Sequence, residues 1–74
     1  MRGISNKILQ SSLDNGAWIS TIEILVGEPD GGRYETLIRR LDRDDEIVQW
    51  YRTNDEAVAG HYHWVRVVSQ EKNK

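Results

Sequence analysis

The chain has 74 residues, with ten Lys+Arg against twelve Asp+Glu (formal net charge −2), six glycines, one proline and no cysteine. That length supports one domain rather than two lobes with a cleft between them, and the near-balanced charge argues against a basic nucleic-acid coat. Without cysteine there are no disulfides, no thiol catalysis, no Fe–S cluster and no cysteine-ligated zinc.

The head, Met1 to Gly16, is polar, with Ile4, Ile8, Leu9 and Leu13 at a spacing that suits one side of a short helix. Ser5 is its candidate cap and Asn15-Gly16 its stop, although Ser11, Ser12, Asp14 and Asn15 favour fraying, so residues 1–16 are expected as a short helix or a flexible segment. A single α+β domain is expected over residues 17–74. From Ala17 to Val26 the chain turns β-branched. Alternation puts Trp18, Ser20, Ile22, Ile24 and Val26 on one face and Ile19, Thr21, Glu23 and Leu25 on the other. The first face is the expected core side, because the second carries Glu23. Glu28-Pro29-Asp30-Gly31-Gly32 reads as a hairpin connection.

Arg33 to Leu41 is the second expected strand, with Tyr34, Thr36 and Ile38 facing away from Glu35, Leu37 and Leu41. Asp42-Arg43-Asp44-Asp45 is the expected turn, and Glu46 to Arg52 the third strand. Thr53-Asn54-Asp55-Glu56 then fits a capping box at the start of a helix. Along it Ala57, His61, Trp64, Val65 and Val68 form an apolar stripe. Gly60, unfavourable in a helix interior, implies close approach of a neighbour. Gln70 to Lys74 reads as a fraying end. The expected fold is α+β: a three-stranded antiparallel meander with a C-terminal helix packed on one face.

Tyr34-Glu35-Thr36-Leu37-Ile38, Tyr51-Arg52-Thr53 and Glu56-Ala57-Val58-Ala59-Gly60-His61, in that order, resemble a family of short uncharacterised phage and prophage proteins. Members of that family carry a Y/F-E-T-apolar strand, an aromatic-x-Thr/Ser strand end and an E-A-x-x-G-H helix start. Trp18-Ile19-Ser20-Thr21 is similar to their opening strand. The head before that strand and the charged Arg39-Arg40 are departures from the pattern. The resemblance implies a phage-type gene and a ββ(β)α fold, and no particular activity.

The residues that carry chemistry do not assemble into a known site. His61 and His63 lie two apart on the expected helix, pointing roughly 200° away from each other, so they do not share a metal. His61 is expected in the helix–sheet seam and His63 in solvent. Asp42, Asp44, Asp45 and Glu46 lack the spacing of a calcium loop. Glu23 and Glu35 fall on neighbouring strands and could face one another as paired carboxylates do in glycosidases, but so small a domain offers no deep pocket to shift their pKa values, and surface residues are the expectation. Gly31-Gly32 precedes a strand, not a helix, and makes no phosphate loop. No enzyme, no cofactor and no metal is the expectation.

What remains is surface for binding. Trp18, Arg39, Arg40, Trp50, Arg52 and Trp64 are the candidate partner-binding residues, since tryptophan and arginine are common interface anchors. The reading is a non-catalytic accessory protein that binds a host or viral protein; inhibition of a host defence or regulatory complex would suit it. The alternative is single-stranded nucleic acid held on arginines interleaved with Trp50 and Tyr51. The strands carry apolar residues on both faces, so a homodimer through the uncovered face or an edge is also expected. The longest apolar run, Ile24 to Gly27, is far short of the roughly 20 residues of a membrane span. Ile4 to Leu13 is too polar for a secretory leader. The expected location is cytoplasmic, in the host cell if the gene is a phage gene.

Overall fold

The structure, a computed structural model, describes residues 5–24 and 33–71, with the side chains of Ser5 and Arg33 excepted. Four strands, β1 (Ser5–Ser12), β2 (Trp18–Ile24), β3 (Arg33–Arg40) and β4 (Arg43–Tyr51), precede one helix, α1 (Asn54–Ser69). They form one antiparallel sheet in the order β1-β2-β3-β4, and α1 contacts all four strands. The α+β class is as the sequence implies, with one strand more.

That extra strand corrects the helical reading of the head. Ser5 to Ser12 pairs antiparallel with β2, from Ser5 opposite Ile24 to Ser12 opposite Trp18. A bulge between Lys7 and Leu9 adds a residue and breaks the two-residue alternation, which makes the apolar spacing look helical. Asn15-Gly16 serves a hairpin instead of a helix stop. Gly16 takes φ +90, its N–H donates to the Leu13 carbonyl, and Asn15 Oδ1 accepts from the Ala17 N–H.

The expected connection Glu28–Gly32 lies outside the described residues. The next turn is shorter than Asp42–Asp45: β3 and β4 are joined through Leu41 and Asp42 alone, and β4 begins at Arg43. Two register shifts along β3–β4 absorb the extra residues in β4. One lies beside Val48, which packs into the core while its neighbour Gln49 bonds to α1.

The covered face is also a correction. The helix lies over Ile19 and Thr21, both fully buried, and over Thr36 and Ile38 of β3. Trp18, Ile22 and Ile24 are on the other side. Glu23 did not exclude its own face from the core, because it stands near the strand end, where the Tyr34 hydroxyl donates to it at 3.4 Å. Ala17, Ile19, Ile38 and Val68 form the central apolar cluster, with Leu13, Val48, Trp64 and Val65 packed around them.

Helix α1 starts as its sequence prescribes. Thr53 is the N-cap with φ −125 and ψ 157, and its hydroxyl accepts from the Glu56 N–H at 3.1 Å. Glu56 reaches back one residue further than in the usual box, accepting from the Arg52 N–H at 3.2 Å. Its far end is tied down twice. The Asn15 side-chain amide donates to the Val68 carbonyl at 2.9 Å, and Glu71 takes both Arg40 Nε and Nη2, at 2.9 and 2.8 Å. Glu71 is thus an anchor, not part of a fraying tail.

Candidate functional site

Two places concentrate chemistry: the seam between helix and sheet, and the sheet face that no helix covers. The seam is polar. His61 is fully buried, with Ser11 Oγ 2.9 Å from its Nε2 and Thr21 Oγ1 2.7 Å from its Nδ1. Thr21 continues to Thr36 at 2.6 Å, Thr36 to Tyr51 at 3.0 Å and Tyr51 to Gln49 Oε1 at 3.5 Å. Trp64 Nε1 closes the chain onto the same Gln49 oxygen at 2.9 Å.

This chain visits every strand and returns to the helix. Gln49 Oε1 only accepts, so Tyr51 donates to it and in turn accepts from Thr36, which accepts from Thr21. His61 is then assigned as the Nδ1–H tautomer, with Nε2 accepting from Ser11. Burial holds the His61 pKa below the ordinary imidazole range, in keeping with a neutral ring. The Ser11–His61 spacing is that of a nucleophile and base, but the imidazole is fully buried and its other nitrogen faces a hydroxyl rather than a carboxylate. The sequence expectation for His61 in the seam and His63 in solvent is met.

Glu23 and Glu35 do not face each other. Glu23 pairs with Tyr34 on the helix side, whereas Glu35 stands opposite Ile22 and Trp50 on the uncovered side. One-residue parity puts them on opposite faces.

The uncovered face is a grid set by register. Trp18 stands beside Arg39, Ser20 beside Leu37 and Ile22 beside Glu35. Leu37 is flanked on its other side by Ile47, and Glu35 by Trp50. These side chains line a groove of about 280 Å³ bounded by Trp18, Ser20, Ile22, Glu35, Leu37 and Arg39. Arg39 lies over the Trp18 ring, 5.0 Å from its centroid, and grips Asp45 through Nε and Nη2 at 3.0 Å each. That grip holds the Asp45 carboxyl below its usual range. Glu35 is only 3% exposed and accepts from the Trp50 indole N–H at 3.0 Å, while Trp50 itself is 56% exposed.

Of the candidate residues, Trp18, Arg39 and Trp50 come together on this face. Arg40 and Trp64 do not: both lie on the helix side, the first paired with Glu71 and Glu46, the second bonded to Gln49. Arg52 is exposed at the β4–α1 junction. Sequence reasoning missed Ile22, Glu35 and Leu37 as members of one groove. The signal was present in the parity of Glu35 and Leu37 against Tyr34 and Thr36, and was hidden by assigning Ile22 to the core.

Among the described residues, no group of three His, Asp or Glu is placed to hold a metal, and no helix is long and apolar enough to cross a membrane. Comparison with protein-family models, with curated proteins and with solved structures finds no match to this chain.

Proposed function

We propose that the protein is a non-catalytic binding module, of the accessory kind found in phages, that acts by holding a host or viral protein on its uncovered sheet face. The observation that carries this reading is the groove between Trp18, Ile22 and Leu37, with Glu35 and Arg39 at its ends and Trp50 standing proud beside it. Apolar floor, charged ends and an exposed tryptophan are the composition of an interface centre. Fully burying one such apolar side chain is worth about 1.5–3 kcal/mol, so two or three contribute roughly 3–9 kcal/mol towards association before its entropic cost is met. The remaining chemistry supports the same reading: the histidine is sealed in the seam, and the two central carboxylates stand on opposite faces. Inhibition of a host complex is the role that best suits such a module.

The test is capture from bacterial lysate with the tagged chain, its Trp50→Ala and Trp18→Ala variants, and Tyr62→Ala on the exposed side of the helix as control. Species held by the parent and by Tyr62→Ala, and lost with both groove variants, are the expected result. Equal capture by all four refutes the assignment of the face.

A second reading, single-stranded nucleic acid, rests on the stacking of Arg39 over Trp18. It is the weaker one, because Arg39, Arg40 and Arg43 are each already paired with carboxylates. Salt-sensitive retention on an immobilised oligonucleotide would favour it over the first.

A further inference from the structure

We propose that Asn15-Gly16 is a site of deamidation whose rate the fold sets, through hydrogen bonds that hold both reacting groups. The reaction belongs to the chain itself and consumes only water. The Gly16 backbone nitrogen, its proton lost to solvent base, attacks Asn15 Cγ. The Cγ–Nδ2 bond breaks, Nδ2 takes up a proton and leaves as ammonia, and a cyclic imide remains. Water then opens the imide at either carbonyl, leaving an aspartyl or an isoaspartyl residue at position 15.

Sequence and position make the pair reactive. Glycine has no side chain to shield the attacking nitrogen, and Gly16 is exposed in the β1–β2 turn at φ +90. Asn15 lines an open hollow of about 370 Å³ with Arg40, Asp42 and Glu71, so water reaches its side chain.

Hydrogen bonds oppose the reaction. The Gly16 N–H donates to the Leu13 carbonyl at 3.0 Å, which engages the nucleophile. Asn15 Nδ2, the leaving group, donates to the Val68 carbonyl at 2.9 Å, and Oδ1 accepts from the Ala17 N–H at 3.0 Å. Reaction requires Gly16 to part from Leu13 and Nδ2 to part from Val68. Opening two ordinary hydrogen bonds first slows it roughly ten- to hundredfold. Val68 lies at the end of α1, so the brake holds only while that end is docked. Glu71 docks it: its N–H donates to the Val68 carbonyl at 3.0 Å, and its carboxylate takes Arg40 Nε and Nη2.

The product does not fit back. A carboxylate at position 15 still accepts from Ala17 but has no donor for Val68. Its charge lies beside the last carbonyls of α1, at the negative end of the helix dipole. Arg40 and Arg43 line the same hollow but already face Glu46, Glu71 and Asp42. The isoaspartyl form also lengthens the main chain inside the tight turn that leads from β1, whose Ser11 partners His61. Modification is therefore one-way: a chain that reacts while its helix end is open closes less well afterwards.

The test incubates the whole chain in mildly alkaline buffer beside a synthetic peptide of residues 13–18. Mass spectrometry reads the tryptic fragment of residues 8–33, in which Asn15 is the only asparagine. Conversion in the folded chain should be about ten- to hundredfold slower than in the peptide. Arg40→Met frees Glu71 and should speed it at least about threefold, whereas Thr53→Ala, which weakens α1 at its other end, should leave the parent rate. If far-UV circular dichroism shows Arg40→Met unfolded, Glu71→Gln, which loses the charge and keeps the shape, takes its place. Asn15→Asp should lower the folding equilibrium constant at least about threefold in urea.

Conversion as fast in the folded chain as in the peptide overturns the brake, and none after about a hundred half-lives of the peptide overturns the site. Arg40→Met reacting at the parent rate, or Thr53→Ala accelerating as much as Arg40→Met, overturns the helix end as the gate. Asn15→Asp as stable as the parent overturns the one-way consequence.

Discussion

Replacing Gly60 with alanine sets two effects of opposite sign against each other. In an open helix the change stabilises by about 1 kcal/mol, because alanine is the better helix former. Here the added methyl would overlap the Tyr51 ring at its Cε1, Cζ and Oη atoms, so the ring or the helix has to move. Tyr51 is 6% exposed and its hydroxyl is bonded to Thr36, so moving the ring breaks into the chain that runs to His61. Overpacking costs about 1–3 kcal/mol and a lost neutral hydrogen bond about 0.5–1.5 kcal/mol. The net expectation is a loss of roughly 1–3 kcal/mol, which in a domain this size lowers Tm by roughly 5–20 °C. Urea and thermal unfolding followed by circular dichroism measure it. The control is Tyr51→Leu, which shortens the opposing side chain; in that background Gly60→Ala should become neutral or stabilising. A stabilising Gly60→Ala in the parent chain would show that Tyr51 does not seat against the helix, and the reasoning would fail.

Thr53→Ala removes the oxygen that accepts the Glu56 N–H and should cost about 0.5–2 kcal/mol in the same assay. An unchanged unfolding midpoint would remove the cap from the account. His61 makes stability depend on pH with a definite sign: its folded pKa lies below the unfolded value of about 6.5, so the unfolded chain binds more protons below that pH. Stability present above pH about 6.5 should fall by up to about 1.4 kcal/mol per pH unit on acidification, and His61→Gln should flatten the pH 5–7 part of the profile. Nitrogen-15 NMR of the ring should show the proton on Nδ1; a proton on Nε2 reverses the assigned direction of the chain. Arg40→Met keeps the stem but loses the fork on Glu71 and should cost about 1–2 kcal/mol. Arg40 holds the Glu71 carboxyl below its usual range, so that contribution is present above pH about 4.3 and lost as pH falls through the lowered value; an Arg40→Met difference that survives full protonation would contradict it.

The helix was legible almost to the residue. Thr53, Glu56, Gly60 and the stripe from Ala57 to Val68 each encode a local constraint, and local constraints survive any tertiary context. The strands β2 and β3 were legible for the same reason. The head was not, because the bulge after Lys7 disturbs the alternation of a strand whose flanks are serines, and Asn15-Gly16 closes hairpins as well as it stops helices. Which face the helix covers was hidden more deeply. Keeping Glu23 out of the core selects the face of Trp18, Ile22 and Ile24, whereas the structure buries Ile19 and Thr21. Thr21 and Thr36 look like surface residues until His61 and Tyr51 are known to meet them, and those contacts join residues 40 and 15 positions apart in sequence.

That inversion has a physical cause, and it explains why a face with apolar side chains is left uncovered. Covering the side of Trp18, Ile22 and Leu37 would gain about 1.5–3 kcal/mol for each large side chain newly buried. It would also take the Arg39–Asp45 ion pair out of water under a helix whose buried positions, Ala57, His61 and Val68, bear no charge. Taking charges out of water costs several kcal/mol per ion even when they are paired, which offsets the gain. The other face asks for hydroxyls, one neutral imidazole and the Arg40 guanidinium, which Glu71 takes, to be satisfied, and every buried side-chain polar atom described has a partner. The helix therefore takes the face whose polar groups it completes. The face it leaves behind keeps its apolar centre and its opposite charges, which a helix with this sequence does not match.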